Sequence, residues 1–146
     1  MSLFDSLSPL AGRQVLRGLF DAHDVVKIAF DRALFAHLRP WLVKAGFTED
    51  ELEKFEPYGQ GTLSMTPALR ELEVRLMNGQ LRHGNHPVLT MCSANAVVVG
   101  DSGARKFDKK KARGRIDGMV ALAMAVGVMP TVEEETHETL FYDLNT

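Results

Sequence analysis

The sequence is short of the residues and patterns that several classes of protein require. Its single cysteine, Cys92, excludes an internal disulfide, is typical of a reducing compartment and is expected to be a passive buried thiol. No apolar run approaches the roughly 20 residues that span a bilayer, and no signal-peptide pattern opens the chain, so we expect a soluble intracellular protein without membrane association. The phosphate-binding pattern GxxxxGK(S/T) is absent, which argues against a P-loop nucleotide site.

The net charge of −2 conceals two segments of opposite charge. Residues 105–115 contain seven Lys or Arg and one acid, Asp108, whereas residues 130–146, the acidic tail, contain five acids and no Lys or Arg. This separation allows a local anion-binding surface on a mildly acidic protein. The candidate phosphate contacts lie in the basic segment, residues 109–115: Lys109, Lys110, Lys111, Arg113 and Arg115. A solvated surface is the alternative interpretation of this segment.

Apolar periodicity predicts one α/β domain over residues 1–146, with a small mixed sheet flanked by helices. The predicted helices are 8–20, 34–46, 48–54, 66–78, 88–96 and a final one that ends at Gly127. The predicted strands are 25–30, 55–58, 97–99 and 104–107. Pro40 should kink or split its helix, and Pro57 should confine its strand to a sheet edge.

The final helix is apolar on nearly all sides, which predicts that it packs in the core against several neighbours. Asp117 lies in its opening turn, directly after the basic segment. An acid in a first helical turn commonly serves as a cap or interacts with the helix dipole. A carboxylate at the rim of a core, beside concentrated positive charge, also suggests a metal or phosphate site.

A second acid, Asp31, ends the predicted strand 25–30. In an α/β sheet this position places a side chain at the carboxyl edge, where ligands bind. If the final helix packs beside that strand, Asp31 and Asp117 meet, and clustered carboxylates suit Mg²⁺. Two such ions activate water and stabilise a leaving oxygen in phosphodiester cleavage, with the basic segment holding the nucleic acid.

A His-x-x-His pair, His83 and His86, invites a zinc interpretation. No cysteine or acid nearby completes a ligand set, so hydrogen-bonded loop histidines are the better interpretation of this pair.

Several stretches occur in the order and spacing of a known family. They are Ile28-Ala-Phe-Asp31-Arg32, Tyr58-Gly-Gln-Gly61, Ser64-Met-Thr-Pro67, Leu81-Arg-His-Gly84, Pro87-Val-Leu89, Asn95-Ala-Val-Val-Val99, Asp108-Lys-Lys-Lys111 and Arg115-Ile-Asp-Gly118. Over residues 25–128 the chain resembles the carboxyl-terminal part of the large terminase subunit of tailed bacteriophages, the motor and nuclease that packages viral DNA into a procapsid.

The resemblance implies a ribonuclease H-like nuclease domain that cleaves concatemeric double-stranded DNA with Mg²⁺ or Mn²⁺. It assigns Asp31 and Asp117 as metal-binding and catalytic acids. It also implies the terminase small subunit and the portal protein as partners, in the cytoplasm of a bacterial host.

The family's ATPase domain and the first nuclease strands, which carry another metal-binding acid, have no counterpart here. Asp21 and Asp24 precede the strand 25–30 and are poor substitutes for that acid. We therefore expect a partial nuclease domain, a fragment or the product of a degraded prophage gene, with weak or absent metal binding and poor cleavage. An unpaired sheet edge favours homo-oligomers. The rival is a non-catalytic DNA- or protein-interaction module that retains the fold.

Overall fold

In a computed structural model, which describes residues 9–130, the chain is a mixed α/β protein. Its helices are α1 (Pro9–Ala22), α2 (Phe35–Lys44), α3 (Glu49–Glu53), α4 (Thr62–Met77), α5 (Pro87–Asn95) and α6 (Asp117–Gly127). Its strands are β1 (Ile28–Asp31), β2 (Phe55–Tyr58), β3 (Val98–Val99) and β4 (Lys106–Phe107). A single 3₁₀ turn, Arg32–Leu34, joins β1 to α2. The predicted α/β class is confirmed, although the described strands form two small sheets rather than the one small mixed sheet that was expected. Most of the acidic tail lies outside the described residues.

The four strands form two pairs within residues 9–130. Strands β1 and β2 are parallel, with Ile28 opposite Phe55 and Asp31 opposite Tyr58. Strands β3 and β4 form the predicted antiparallel hairpin. Because side chains alternate between the faces of a strand, Asp31 and Tyr58 share a face with Ala29, and this face packs against the cluster that contains α6.

The main core surrounds α6, which packs against α4, α5 and β1 as a helix apolar on several sides requires. It consists of buried residues from α4 and α6 together with the residue before α6: Met65, Leu69, Leu72, Ile116, Val120, Ala123, Met124 and Val126. Cys92 of α5 is buried next to this core, as predicted.

A second, aromatic core lies on the other face of β1 and β2 and attaches α1 to them. The Phe20 ring lies edge-on to Phe47 at 5.2 Å and stacks on Phe55 at 5.6 Å between centroids. Such pairs contribute roughly 0.5–1.5 kcal/mol each beyond their buried area. Above them, the Arg17 guanidinium binds both carboxylate oxygens of Glu51, at 2.9 and 2.8 Å, so α1 is also tied to α3.

Two elements begin three or more residues from their predicted starts, and one predicted helix break is absent. Strand β1 begins at Ile28 rather than at residue 25, because the Val25 amide donates to His23 O in a turn. Helix α4 begins at Thr62 rather than at residue 66, and Pro67 lies in its second turn. The missing Pro67 amide would have bonded Leu63 O, and Leu63 is 92% exposed, so water can take that place. Helix α2 continues through Pro40, so the predicted alternative of a split is wrong, and the alternative of a kink stays a prediction.

Candidate nucleic-acid and metal site

The side chain of Asp31 is held in one orientation at the carboxyl end of β1. Its Oδ1 accepts a hydrogen bond from the Ala33 amide at 3.0 Å, and its Oδ2 accepts one from Gln60 Nε2 at 2.8 Å. A carboxylate has about four lone-pair positions, so each oxygen can still bind a further partner. The role of Gln60 is not evident from the sequence, because Gln60 lies in the Gly59-Gln60-Gly61 loop, 29 residues from Asp31.

Asp117 is the first residue of α6 and is exposed. Its carboxylate has no hydrogen-bond or ion-pair partner among residues 9–130, and the positive end of the helix dipole favours its charge. The helix start is fixed by packing, because a Cβ on Gly118 would lie 3.3 Å from Cys92 Sγ of α5.

The two acids lie in different surroundings. Tyr58, opposite Asp31 in the sheet, donates to Ser64 O at 2.8 Å and contacts Gly127 at the last residue of α6. Asp117 is at the other end of that helix, roughly 15 Å along its axis. The hydrogen-bond partners of Asp31, which are the Ala33 amide and Gln60, form no hydrogen bond with Asp117 in the described part of the chain. Nor do residues 9–130 contain a group of three His, Cys, Asp or Glu that could hold a metal ion. The side-by-side arrangement of Asp31 and Asp117 therefore stays a prediction.

The backbone at the start of the basic segment is organised by Asp108, the one acid among the cations. Its Oδ1 accepts hydrogen bonds from the amides of Lys110 and Lys111 at 2.9 and 3.2 Å, and its carbonyl accepts one from Ala112. The sequence shows Asp108 only as a lone opposite charge, whereas the structure gives it the role of closing a turn. The Asp108 carboxylate therefore accepts hydrogen bonds from backbone amides and forms no ion pair with the lysine side chains in the described part.

The other end of the basic segment is attached to α5 by Asn95. The Asn95 carbonyl accepts from the Arg113 amide, and its side-chain Nδ2 donates to Arg115 O, both at 3.3 Å. Gly114 lies against the same side chain, where an added Cβ would be 2.7 Å from Nδ2. The segment is thus a loop fixed at both ends, next to Asp117.

The five cations of the basic segment are all exposed, and none forms an ion pair within residues 9–130. Arg105, slightly upstream, differs from them, because it binds Glu73 at 2.8 Å through Nη1. The hydrogen bond from Arg105 lowers the pKa of Glu73 below its usual range. Residues 109–115 therefore present five cations without an ion pair in the described part, within seven residues of sequence.

The two histidines of the His-x-x-His pair are both hydrogen-bonded in the loop before α5, as the loop interpretation predicts. His83 Nδ1 accepts from the Asn85 amide at 3.2 Å. His86 is the N-cap of α5 and accepts from the Val88 amide at 3.3 Å.

A small α/β domain with a half-buried acid at a strand end and an exposed acid at a helix start, beside a cationic loop, has the arrangement of a nucleic-acid-processing domain. The family model described as terminase large subunit, endonuclease domain, matches residues 39–133. The chain belongs to this family.

Two curated relatives and one solved structure give the extent of the similarity. The terminase large subunit of Enterobacteria phage HK97 is 50% identical over 105 residues, which cover 71% of this chain and 20% of that protein. Protein YmfN of Escherichia coli K12 is 35% identical over 79 residues, which cover 52% and 17%. The crystal structure of the HK97 bacteriophage large terminase matches with a TM-score of 0.74 and 42% identity, over 83% of this chain and 25% of that one. The chain spans about a fifth of the length of these curated relatives.

Proposed function

We propose that this chain is part of the nuclease of a phage DNA-packaging terminase, and that its basic segment holds the phosphate backbone of double-stranded DNA. One observation carries the proposal. The five cations of a loop fixed at both ends are exposed and have no acidic partner in the described part. Lys and Arg presented in this way contact phosphates without reading sequence. Membership of the terminase endonuclease family supports DNA as the substrate.

In this proposal Asp31 and Asp117 bind Mg²⁺ or Mn²⁺. The donors suit a hard cation, because both groups are carboxylates with oxygen lone pairs that the described hydrogen bonds do not use. Mg²⁺ commonly takes one or two carboxylates and completes its shell with water and phosphate oxygens. A bound ion would supply an activated water and stabilise the leaving oxygen. Gln60 and the Ala33 amide hold the Asp31 carboxylate in place.

Within the same proposal the fold is ribonuclease H-like, and the partners are the terminase small subunit and the portal protein in a bacterial cytoplasm. A relative encoded in Escherichia coli K12 supports a prophage origin. Within the described residues no helix is long and apolar enough to cross a membrane.

A second candidate function is a non-catalytic DNA- or protein-interaction module. One observation favours it: residues 9–130 contain no group of three metal-ligating side chains. Two carboxylates with separate contacts fall short of the clamp that a two-metal reaction needs. We therefore expect DNA binding to be strong relative to cleavage in this chain.

The test measures DNA affinity as a function of salt concentration. Five phosphate contacts predict that the logarithm of the association constant falls against log salt with a slope of about −4.5. The double variant Lys110→Gln/Lys111→Gln should reduce the magnitude of the slope by about 1.8. The matched control Lys44→Gln/Arg82→Gln removes two exposed cations elsewhere and should leave the slope unchanged. Equal effects of the two double variants would refute the assignment of the basic segment.

A further inference from the structure

We infer that the acidic tail (residues 130–146) docks on the basic segment of the same chain and competes there with DNA phosphates. This inference rests on the proposed function, because competition matters only if the basic segment binds DNA. Two properties identify the tail as the occupant of this surface: its charge and its length.

The charges of the two segments are equal and opposite. The basic segment carries five Lys or Arg and no acid, and the tail carries five acids and no Lys or Arg: Glu133, Glu134, Glu135, Glu138 and Asp143. The remainder of the chain has the same net charge as the whole, −2. The tail is thus the one long stretch of unmixed negative charge in the sequence, and the basic segment is its positive counterpart.

The basic segment differs in its ion pairing, within the described residues, from five of the other twelve Lys and Arg of the sequence. Arg17, Lys27, Arg39, Arg75 and Arg105 all form ion pairs with glutamates. The five cations of residues 109–115 form none within the described part, although they are close together in the chain. Like charges in one loop repel each other, and a polyanion relieves that repulsion. DNA and the tail are both polyanions of this kind.

The tail is long enough to reach the basic segment. It begins beyond one end of α6, and the basic segment precedes the other end. Helix α6 has 11 residues, so the return path is roughly 16 Å. From Pro130, an extended chain reaches about 26 Å at Glu138 and about 43 Å at Asp143. The acids of the tail can therefore lie along α6 and at the basic segment without a change in the described fold.

Intramolecular docking gives the tail an effective concentration in the millimolar range, so that weak ion pairs suffice to compete with DNA. Screening shortens their range to about 8 Å at physiological ionic strength. The tail should therefore weaken DNA binding most at low salt. The docked tail competes more effectively against short anions than against DNA, which is a long and densely charged ligand.

The first experiment detects docking without DNA. A carbodiimide joins a carboxylate directly to a lysine amine when the two groups are in contact. We expect cross-links from Lys109, Lys110 or Lys111 to Glu133–Glu138 at 50 mM salt, and their loss at 500 mM salt. A mixture of isotope-labelled and unlabelled chains separates links within one chain from links between copies. Absence of these links, or links only between copies, overturns the inference.

The second experiment measures DNA affinity in the full-length chain. The variant Glu133→Gln/Glu134→Gln/Glu135→Gln should bind a DNA duplex about tenfold more tightly than the unaltered chain at 50 mM salt, with a smaller gain at 200 mM. The control Asp24→Asn/Asp50→Asn/Glu53→Gln removes the same charge from exposed sites that have no ionic partner among residues 9–130. An equal gain in the control overturns the inference. If cross-links form but neither the unaltered chain nor the tail variant binds DNA, tail docking stands and the proposed function fails.

Discussion

The loop of the β3–β4 hairpin depends on one glycine. Gly100 has φ +108°, and a Cβ at this position would overlap the carbonyl oxygen of Ala104. The Asp101 carboxylate closes the same loop by accepting from the amides of Gly103 and Ala104 at 2.9 and 3.2 Å. Position 100 therefore requires a residue without a Cβ, for reasons of both backbone conformation and space.

We predict that Gly100→Ala lowers the free energy of unfolding by about 1–3 kcal/mol, because it adds backbone strain and a steric clash with backbone atoms. Urea denaturation followed by circular dichroism measures this change. Gly103→Ala is the matched control, since its added Cβ would meet Asp101 Oδ1 at an ordinary 3.5 Å. Comparable destabilisation by the two variants would contradict the special role of Gly100.

Glu51 makes stability depend on pH. The bidentate hydrogen bond from Arg17 and the capping bond from the Thr48 amide lower the pKa of Glu51 to about 2, from an ordinary 4.5. Because the folded pKa is the lower one, the stabilising contribution is complete above pH 4.5 and is lost as the pH falls towards 2. The relevant window is therefore acidic, and stability near pH 7 does not vary with this group.

We predict that Glu51→Gln lowers the melting temperature at pH 7, and that the difference from the unaltered protein shrinks below pH 4.5 and disappears near pH 2. Thermal unfolding at a series of pH values tests this. The control is Glu53→Gln, on the same helix, which removes an exposed acid without an ionic partner in residues 9–130. A difference that stays constant from pH 7 to pH 3 would show that Glu51 acts through packing rather than charge.

Most elements could be predicted from the sequence because their signals are local. The capping box of Thr48 and Glu51, the apolar periodicity of α6 and the β3–β4 hairpin depend on residues near one another in the chain, and all are present. Pro57 also fits its predicted edge position. The Ile28 amide donates to Lys54 O, and the alternation of a parallel ladder then turns Pro57, which has no N–H, towards the outer edge of β2.

Less of the candidate site could be predicted from the sequence. The acids and cations of the site could be named from charge and position, but the groups that orient them could not. Gln60 reaches Asp31 across 29 residues, and Asn95 reaches Arg115 across 20. Such contacts depend on how β1, β2, α5 and α6 assemble, and an amide side chain gives no periodic or charge signal that marks it in advance.

At the scale of elements, Asn95 couples α5 to the basic segment. We predict that Asn95→Ala speeds hydrogen exchange at the Arg113 amide and weakens DNA binding about two- to fivefold, because losing one neutral hydrogen bond loosens the loop without changing its charge. Hydrogen exchange followed by mass spectrometry and DNA titrations measure both effects. Ser93→Ala, at an exposed position on the same helix, is the control. An unchanged exchange rate at the Arg113 amide in Asn95→Ala would contradict the role of Asn95 in coupling α5 to the basic segment.

The whole molecule combines two cores on opposite faces of one parallel strand pair with a charged loop beside α6. The aromatic core attaches α1 to β1 and β2, and the Arg17–Glu51 pair attaches it to α3. The part of the chain that matches the HK97 large terminase thus has a packed interior as well as an exposed cationic loop.

The last prediction concerns metal and cleavage in the unaltered chain. Carboxylates with separate contacts should bind Mn²⁺ only weakly, with a dissociation constant on the order of millimolar. Asp117→Asn should abolish Mn²⁺ binding at its position and leave DNA affinity in EDTA within about twofold, because we propose that the phosphate contacts lie in the basic segment. Electron paramagnetic resonance of free Mn²⁺ measures the metal binding, with Asp24→Asn as the control.

Incubation of supercoiled plasmid with Mg²⁺ or Mn²⁺ should give little nicking, since two-metal cleavage needs ions about 4 Å apart in one carboxylate cluster. Rapid metal-dependent nicking, lost in Asp31→Asn and Asp117→Asn, would instead show that the two acids meet at one site. If Mn²⁺ does not bind at all but the basic segment binds DNA, the interaction module is the correct description of this chain.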